Sequence, residues 1–193
     1  MIKLIVSSFC AGIAISISCI AFLASGNPWT FPIGLFIICF FGFHLFTGKV
    51  SYANSKNDIV NLVIMWVVNM VTAALMGILI HYMRPDFIET TLIMVNNKIA
   101  EGWFIIPRAI LCNIMIFVAV HAWKNLPSPN NTIGLIFATA IFVICGFEHC
   151  VANSFYIGCA LTADLKTIQF IFLNTIGNAI GGLAAYRVTQ FIS

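Results

Sequence analysis

Glu148, His149 and Asn153 stand within an apolar segment that runs over 133–161. Placing an ionisable side chain at the centre of a bilayer costs about 2.5–3.5 kcal/mol on insertion scales, and such residues mark ion paths, proton relays or ligand sites. Histidine is the side chain whose ordinary titration falls between about pH 5 and 8, so His149 is suited to exchanging a proton near neutrality. Glu148 either faces the same space or ties helices together, because consecutive helical side chains point about 100° apart.

Membrane helices must hold these residues. The chain has 193 residues, of which 61% are hydrophobic and 8% charged, and its mean hydropathy is +1.04. Soluble domains carry about 25% charged residues, so a water-facing surface is excluded. The chain reads as a single all-α integral membrane domain over residues 1–193. Six apolar segments cover 4–24, 31–46, 59–83, 103–122, 133–161 and 168–190. The first exceeds the roughly 7–15-residue apolar core of a signal peptide and reads as a retained span. The second is short for a span of roughly 20 residues and stops at Leu45-Phe46-Thr47-Gly48; the fifth is long and polar in its second half. These interruptions predict broken helices 2 and 5, tolerated only against protein or a water-lined cavity.

Two halves, about 1–84 and 98–193, align at an offset of about 104–105 residues. Gly42-Phe43-His44 falls on Gly146-Phe147-Glu148, Asn69 on Asn174 and Gly77 on Gly182. Three spans per half is an odd number, so the second half must enter the membrane inverted, as a 3+3 repeat of the kind found in transporters and channels. Lys3, Lys49, Lys56, Lys124 and Arg187 gather on one side against Asp58. The positive-inside rule then places both termini in the cytoplasm of a multi-pass protein of the cell membrane. Gly177 and Gly181 form a GxxxG, which lets a neighbouring backbone approach closely. A net charge of +3 is too small and dispersed for nucleic-acid binding. The seven cysteines form no CxxC pair, and neither a metal nor a cofactor is expected. HExxH, P-loop and paired Cys/His motifs are missing from the sequence, which disfavours the rival class of membrane-embedded enzyme.

Four stretches, in order, resemble the formate/nitrite transporters, a family that includes hydrosulfide channels. "FPIGLFIICFFGFHLFTG" (31–48) is similar to a second helix ending in the family's Leu-Phe-Thr break, and "NKIAEGWFIIPRAILCN" (97–113) matches its lysine–asparagine spacing. "GFEHCVAN" (146–153) resembles the fifth-helix motif around the family's central histidine, and "NTIGNAIGG" (174–182) its sixth helix. The resemblance implies a homopentamer of six-helix protomers with an aquaporin-like fold and a pore in each. It implies that His149 is the pore-centre residue with Thr47 as its hydroxyl partner, and that Lys98 and Asn153 lie toward the outer vestibule. It makes Phe31, Leu35, Leu45, Phe46 and Phe142 apolar constrictions, and Asn113, Asn178 and Glu148 buried polar positions around the pore. The chain departs from the pattern in four ways: terminal extensions are nearly absent, Lys49 adds a cation directly after Leu-Phe-Thr-Gly, Arg108 has no family counterpart, and the loop after helix five is short.

The implied function is passive or proton-coupled transport of small monovalent anions of weak acids, of the formate or nitrite type, with a hydrosulfide channel as the alternative. The physics agrees. An anion entering a dry constriction faces an idealised desolvation cost of order 20 kcal/mol, of which several remain after relaxation. Protonating the anion before it crosses the apolar rings removes most of that cost. A histidine at the centre, a lysine that concentrates anions at the mouth and a threonine that orients the imidazole make one coherent set.

Overall fold

The computed structural model describes residues 1–192, and among them all regular structure is helical. In chain order the helices are α1 (Ile2–Ser25), α2 (Pro32–Phe41), α3 (Phe46–Lys49), α4 (Lys56–Met83), α5 (Ile88–Ala100), α6 (Ile105–Asn125), α7 (Asn130–Ile144), α8 (Cys150–Ala160) and α9 (Leu165–Ile192). Of these, α1, α4, α6 with its preceding turn, and α9 are long and apolar enough to cross a membrane. The pair α2 and α3, with their flanking turns, qualifies jointly but is bent by 59°. Two further apolar helices, α7 and α8, are each too short to cross alone.

The same local chemistry ends α2 and α7. Gly42 (φ 69°) and Gly146 (φ 65°) take the left-handed conformation that a Cβ disfavours. The next N–H then folds back: Phe43 donates to the Ile38 carbonyl and Phe147 to the Phe142 carbonyl, both at 2.9 Å. These are Schellman closures, which satisfy carbonyls orphaned at a helix end. Two residues on, Leu45 (φ −97°, ψ 127°) and His149 (φ −105°, ψ 117°) are extended and start α3 and α8.

Breaks inside an apolar bundle strand backbone groups that water cannot reach. A buried asparagine answers at each. Asn69 accepts from the Phe46 N–H at 2.8 Å and donates to the carbonyls of Ser8 (2.7 Å) and His44 (3.1 Å). Asn178 accepts from the Cys150 N–H at 2.9 Å and donates to the carbonyls of Ala109 and Glu148, both at 2.8 Å. Sequence alignment set Asn174 against Asn69, but by hydrogen bonding the counterpart is Asn178. Asn69 lies 13 residues into α4 and Asn178 13 residues into α9.

Glycines bring the supporting helices close. A Cβ on Gly181 of α9 would collide with the backbone of Ile110 in α6, and one on Gly158 of α8 with the backbone of Ala74 in α4. Asn69 reaches Ser8, and Gly12 lies against Thr72, so α1 and α4 run parallel. Their common starting side is termed the N-side. Outward faces of α4 (Val63, Val67, Val71) and α9 (Phe172, Ile176, Ile180) are apolar and exposed, which suits lipid or a neighbouring protomer.

Two features were not anticipated. The stretch between the third and fourth spans contains a 13-residue helix, α5, that packs on α8. Helix α4 begins at Lys56, three residues earlier than its apolar segment, because Ser55 and Asp58 form a capping box.

Candidate functional site

Because α8 starts at the break, His149 occupies its N-cap position, buried at 3% exposure. The Ala152 N–H donates to His149 Nδ1 at 3.2 Å. Nδ1 is therefore the acceptor, and the proton of the neutral ring sits on Nε2. Nε2 lies 2.9 Å from Thr47 Oγ1 of α3, so the imidazole donates and the hydroxyl accepts. Thr47 was expected to fix the tautomer. The structure gives that task to the backbone of α8 and leaves Thr47 as the partner across the gap.

This pair separates two cavities of similar size. One, about 200 Å³, lies away from the N-side and is lined by Phe31, Lys98, Phe142, His149, Asn153 and Tyr156, among others. The other, about 190 Å³, opens toward the N-side and is lined by Leu35, Leu45, Lys49, Trp123 and Lys124, among others. Phe142 stacks on His149 (centroids 6.0 Å apart), and Phe31 meets Phe142 edge-on at 5.4 Å. Leu35 and Leu45, both buried, line the N-side cavity. Four of the five residues expected to form constrictions thus line the cavities on the two sides of the pair. Phe46 lines neither cavity and faces the packed bundle, with its N–H held by Asn69.

Glu148 turns away from the imidazole into a polar network. Its carboxylate, 2% exposed, accepts from Lys98 Nζ at 2.5 Å and from Asn153 Nδ2 at 2.8 Å. Its carbonyl accepts from Asn174 at 2.9 Å and Asn178 at 2.8 Å. Lys98 therefore reaches the cavity from α5 as half of an ion pair. Removing either member of such a buried pair strands the other. Asn113 stands apart from this network. It is fully buried, its amide has no partner among the described residues, and it sits over Gly182 beside Ser51. Asn69, which holds the first break, and Asn174, which adds a donor to the Glu148 carbonyl at the second, were not among the expected site residues. Their signal in the sequence is an amide set within the apolar stretch of a long helix.

The formate/nitrite transporter family model matches residues 1–192. The chain is 26% identical to the formate channel FocA of Haemophilus influenzae over 216 aligned residues, covering 86% of this chain and 76% of that protein. It is 27% identical to the formate channel BtFdhC of Bacillus thuringiensis, covering 79% and 66%. Among solved structures, a pentameric formate channel with formate bound superposes with a TM-score of 0.82 at 20% identity, over 98% of this chain and 94% of that one. An ion channel of the same family gives 0.90 at 18% identity, over 99% and 90%. With apolar helices in the same arrangement as these channels and a family match across its described length, the chain is a multi-pass membrane protein that belongs to the formate/nitrite transporter family.

Proposed function

We propose that each protomer conducts small monovalent anions of weak acids, of the formate and nitrite type, through its own pore, passively or with a proton moving alongside. One observation carries this reading: a buried imidazole–hydroxyl pair lies between two cavities, with apolar rings on either side. Phe31 and Phe142 form one ring and Leu35 and Leu45 the other. Within them a bare anion is strongly disfavoured and its neutral acid is not.

The tautomer constrains how His149 takes part. Its Nε2 proton can leave for the anion only when a second proton has arrived on Nδ1, displacing the Ala152 N–H. The anion then crosses as the neutral acid and releases its proton to water beyond the second ring. His149 is left with its proton on Nδ1 and resets by returning it to Nε2. Lys98, Asn153 and Glu148 shape the far cavity, and Asn178 holds the break in register.

The protomer is a single domain built as an inverted 3+3 repeat with helices 2 and 5 broken, which the matching roles of Asn69 and Asn178 support. We place both termini in the cytoplasm on the charge bias of the N-side, and five protomers in the assembly by analogy with the pentameric relative. Proteoliposome flux tests the function directly. Formate, nitrite and hydrosulfide are each followed with and without an imposed proton gradient. At least one must move faster than in protein-free vesicles, and the panel ranks the three. Fluxes equal to empty vesicles for all three would refute transport.

A further inference from the structure

The two cavities differ in charge. On the far side Lys98 is neutralised by Glu148 at 2.5 Å. The N-side cavity is lined by two lysines, Lys49 and Lys124, and by no acidic residue. Among the described residues neither lysine makes a salt bridge. The nearest acid on this side, Asp58, lines an adjoining cavity with Lys49, but its Oδ2 is already occupied by the N–H groups of Asn54 and Ser55 and the Ser55 hydroxyl. Lys124 Nζ lies 3.7 Å from the centre of the Tyr52 ring, which fixes the ammonium at the cavity wall without cancelling its charge. Lys49 follows Leu-Phe-Thr-Gly at the end of α3, two residues after Thr47 of the Thr47–His149 pair.

We infer that the N-side cavity is a binding site for a small monovalent anion, held between Lys49 and Lys124. Two unpaired cations in a recess with apolar walls focus a positive potential there, and the remaining wall (Leu35, Ile38, Leu45, Val120 and Trp123) favours weakly hydrated anions over phosphate or sulfate. The site deepens the transport reading by assigning anion capture to the N-side. On the far side the local field is that of a dipole rather than of a net charge.

Cys39 provides the test, because its side chain lines the same cavity and is the cavity's own thiol. The purified protein is treated with methanethiosulfonate reagents of matched size, one anionic and one cationic, and modification of Cys39 is followed by peptide mass spectrometry. Any property of the thiol itself cancels in the ratio of the two rates. The anionic reagent is expected to react at least tenfold faster relative to the cationic one in the native chain than in Lys49→Gln/Lys124→Gln. Millimolar nitrite should slow that reaction in the native chain, whereas gluconate should not. The single variants and the nitrite protection decide the matter even where the double variant does not fold. A ratio unchanged by either lysine substitution, no protection by nitrite, or a Cys39 inert to both reagents would overturn the site. No flux is needed, so the site and the transport reading can fail separately.

Discussion

Gly42-Phe43-His44-Leu45 and Gly146-Phe147-Glu148-His149 follow one backbone path: a left-handed glycine, a back-bonded phenylalanine and an extended residue that starts the next helix. Their side chains diverge. Where the first break has Leu45, with no side-chain cap, the second has His149, whose Nδ1 caps α8. Where the first has His44, whose Nδ1 has no partner among the described residues, the second has Glu148, tied to Lys98 and Asn153. The comparison separates two requirements. Breaking a helix in the membrane needs glycine and a buried asparagine, and both halves supply them. Chemistry at the break needs an imidazole with a fixed tautomer, and only the second supplies it.

The largest effect should follow from unbalancing the charged break. Glu148→Leu leaves Lys98 facing a dry network and is expected to cost about 3–5 kcal/mol. His44→Leu, at the equivalent position, should cost much less. Thermal unfolding in detergent measures both, and restoration of much of the loss by Lys98→Met in the Glu148→Leu background would identify the pair as the cause. Equal losses at His44 and Glu148 would break the contrast.

Next come the asparagines, where the two breaks should behave alike. Asn69→Leu strands the Phe46 N–H and takes a donor from the His44 carbonyl, Asn178→Leu strands the Cys150 N–H and leaves the Glu148 carbonyl with Asn174 alone, and each is expected to cost about 1–3 kcal/mol. A cost confined to one of them would mean that the breaks are held differently. Thr47→Val should lose about 1 kcal/mol. Because the Ala152 N–H sets the tautomer, imidazole nitrogen chemical shifts should still show the proton on Nε2. A change of tautomer would return that role to Thr47.

The smallest effect lies at the start of α9. The Thr167 hydroxyl, and then its N–H, hold the Asp164 carboxyl below the usual carboxylate range. This contribution is full above the ordinary aspartate value of about 3.9 and is lost as pH falls through the lower folded value. Acid titration of helicity should therefore show a small loss of order in that window, absent from Asp164→Asn.

The sequence made the break positions legible because Gly-Phe recurs at a constant spacing in segments that are otherwise uniform. His149 and Thr47 were legible as polar residues in apolar spans, and the structure brings them within 2.9 Å. The pairing of Asn69 with Asn178 was not, because α4 and α9 start at different distances from their breaks and a single offset cannot follow both. Helix α5 was missed because its mixed polarity (Ile88, Glu89, Thr91, Asn96, Asn97, Lys98) resembles a loop until α8 is there to receive one face. Neutralisation of Lys98 by Glu148 joins residues 50 apart in the chain, and only the fold brings them together.

The most direct test of the account replaces the imidazole without disturbing its cap. Asparagine is among the best N-cap residues, so His149→Asn should keep α8 and lose about 1 kcal/mol with the hydrogen bond to Thr47. Formate and nitrite flux into proteoliposomes is measured across pH 5–8 for both chains. The account predicts that the variant loses the pH response and admits permanently charged anions that the native chain excludes. A variant that retained both the anion selectivity and the pH response of the native protein would contradict proton exchange at His149.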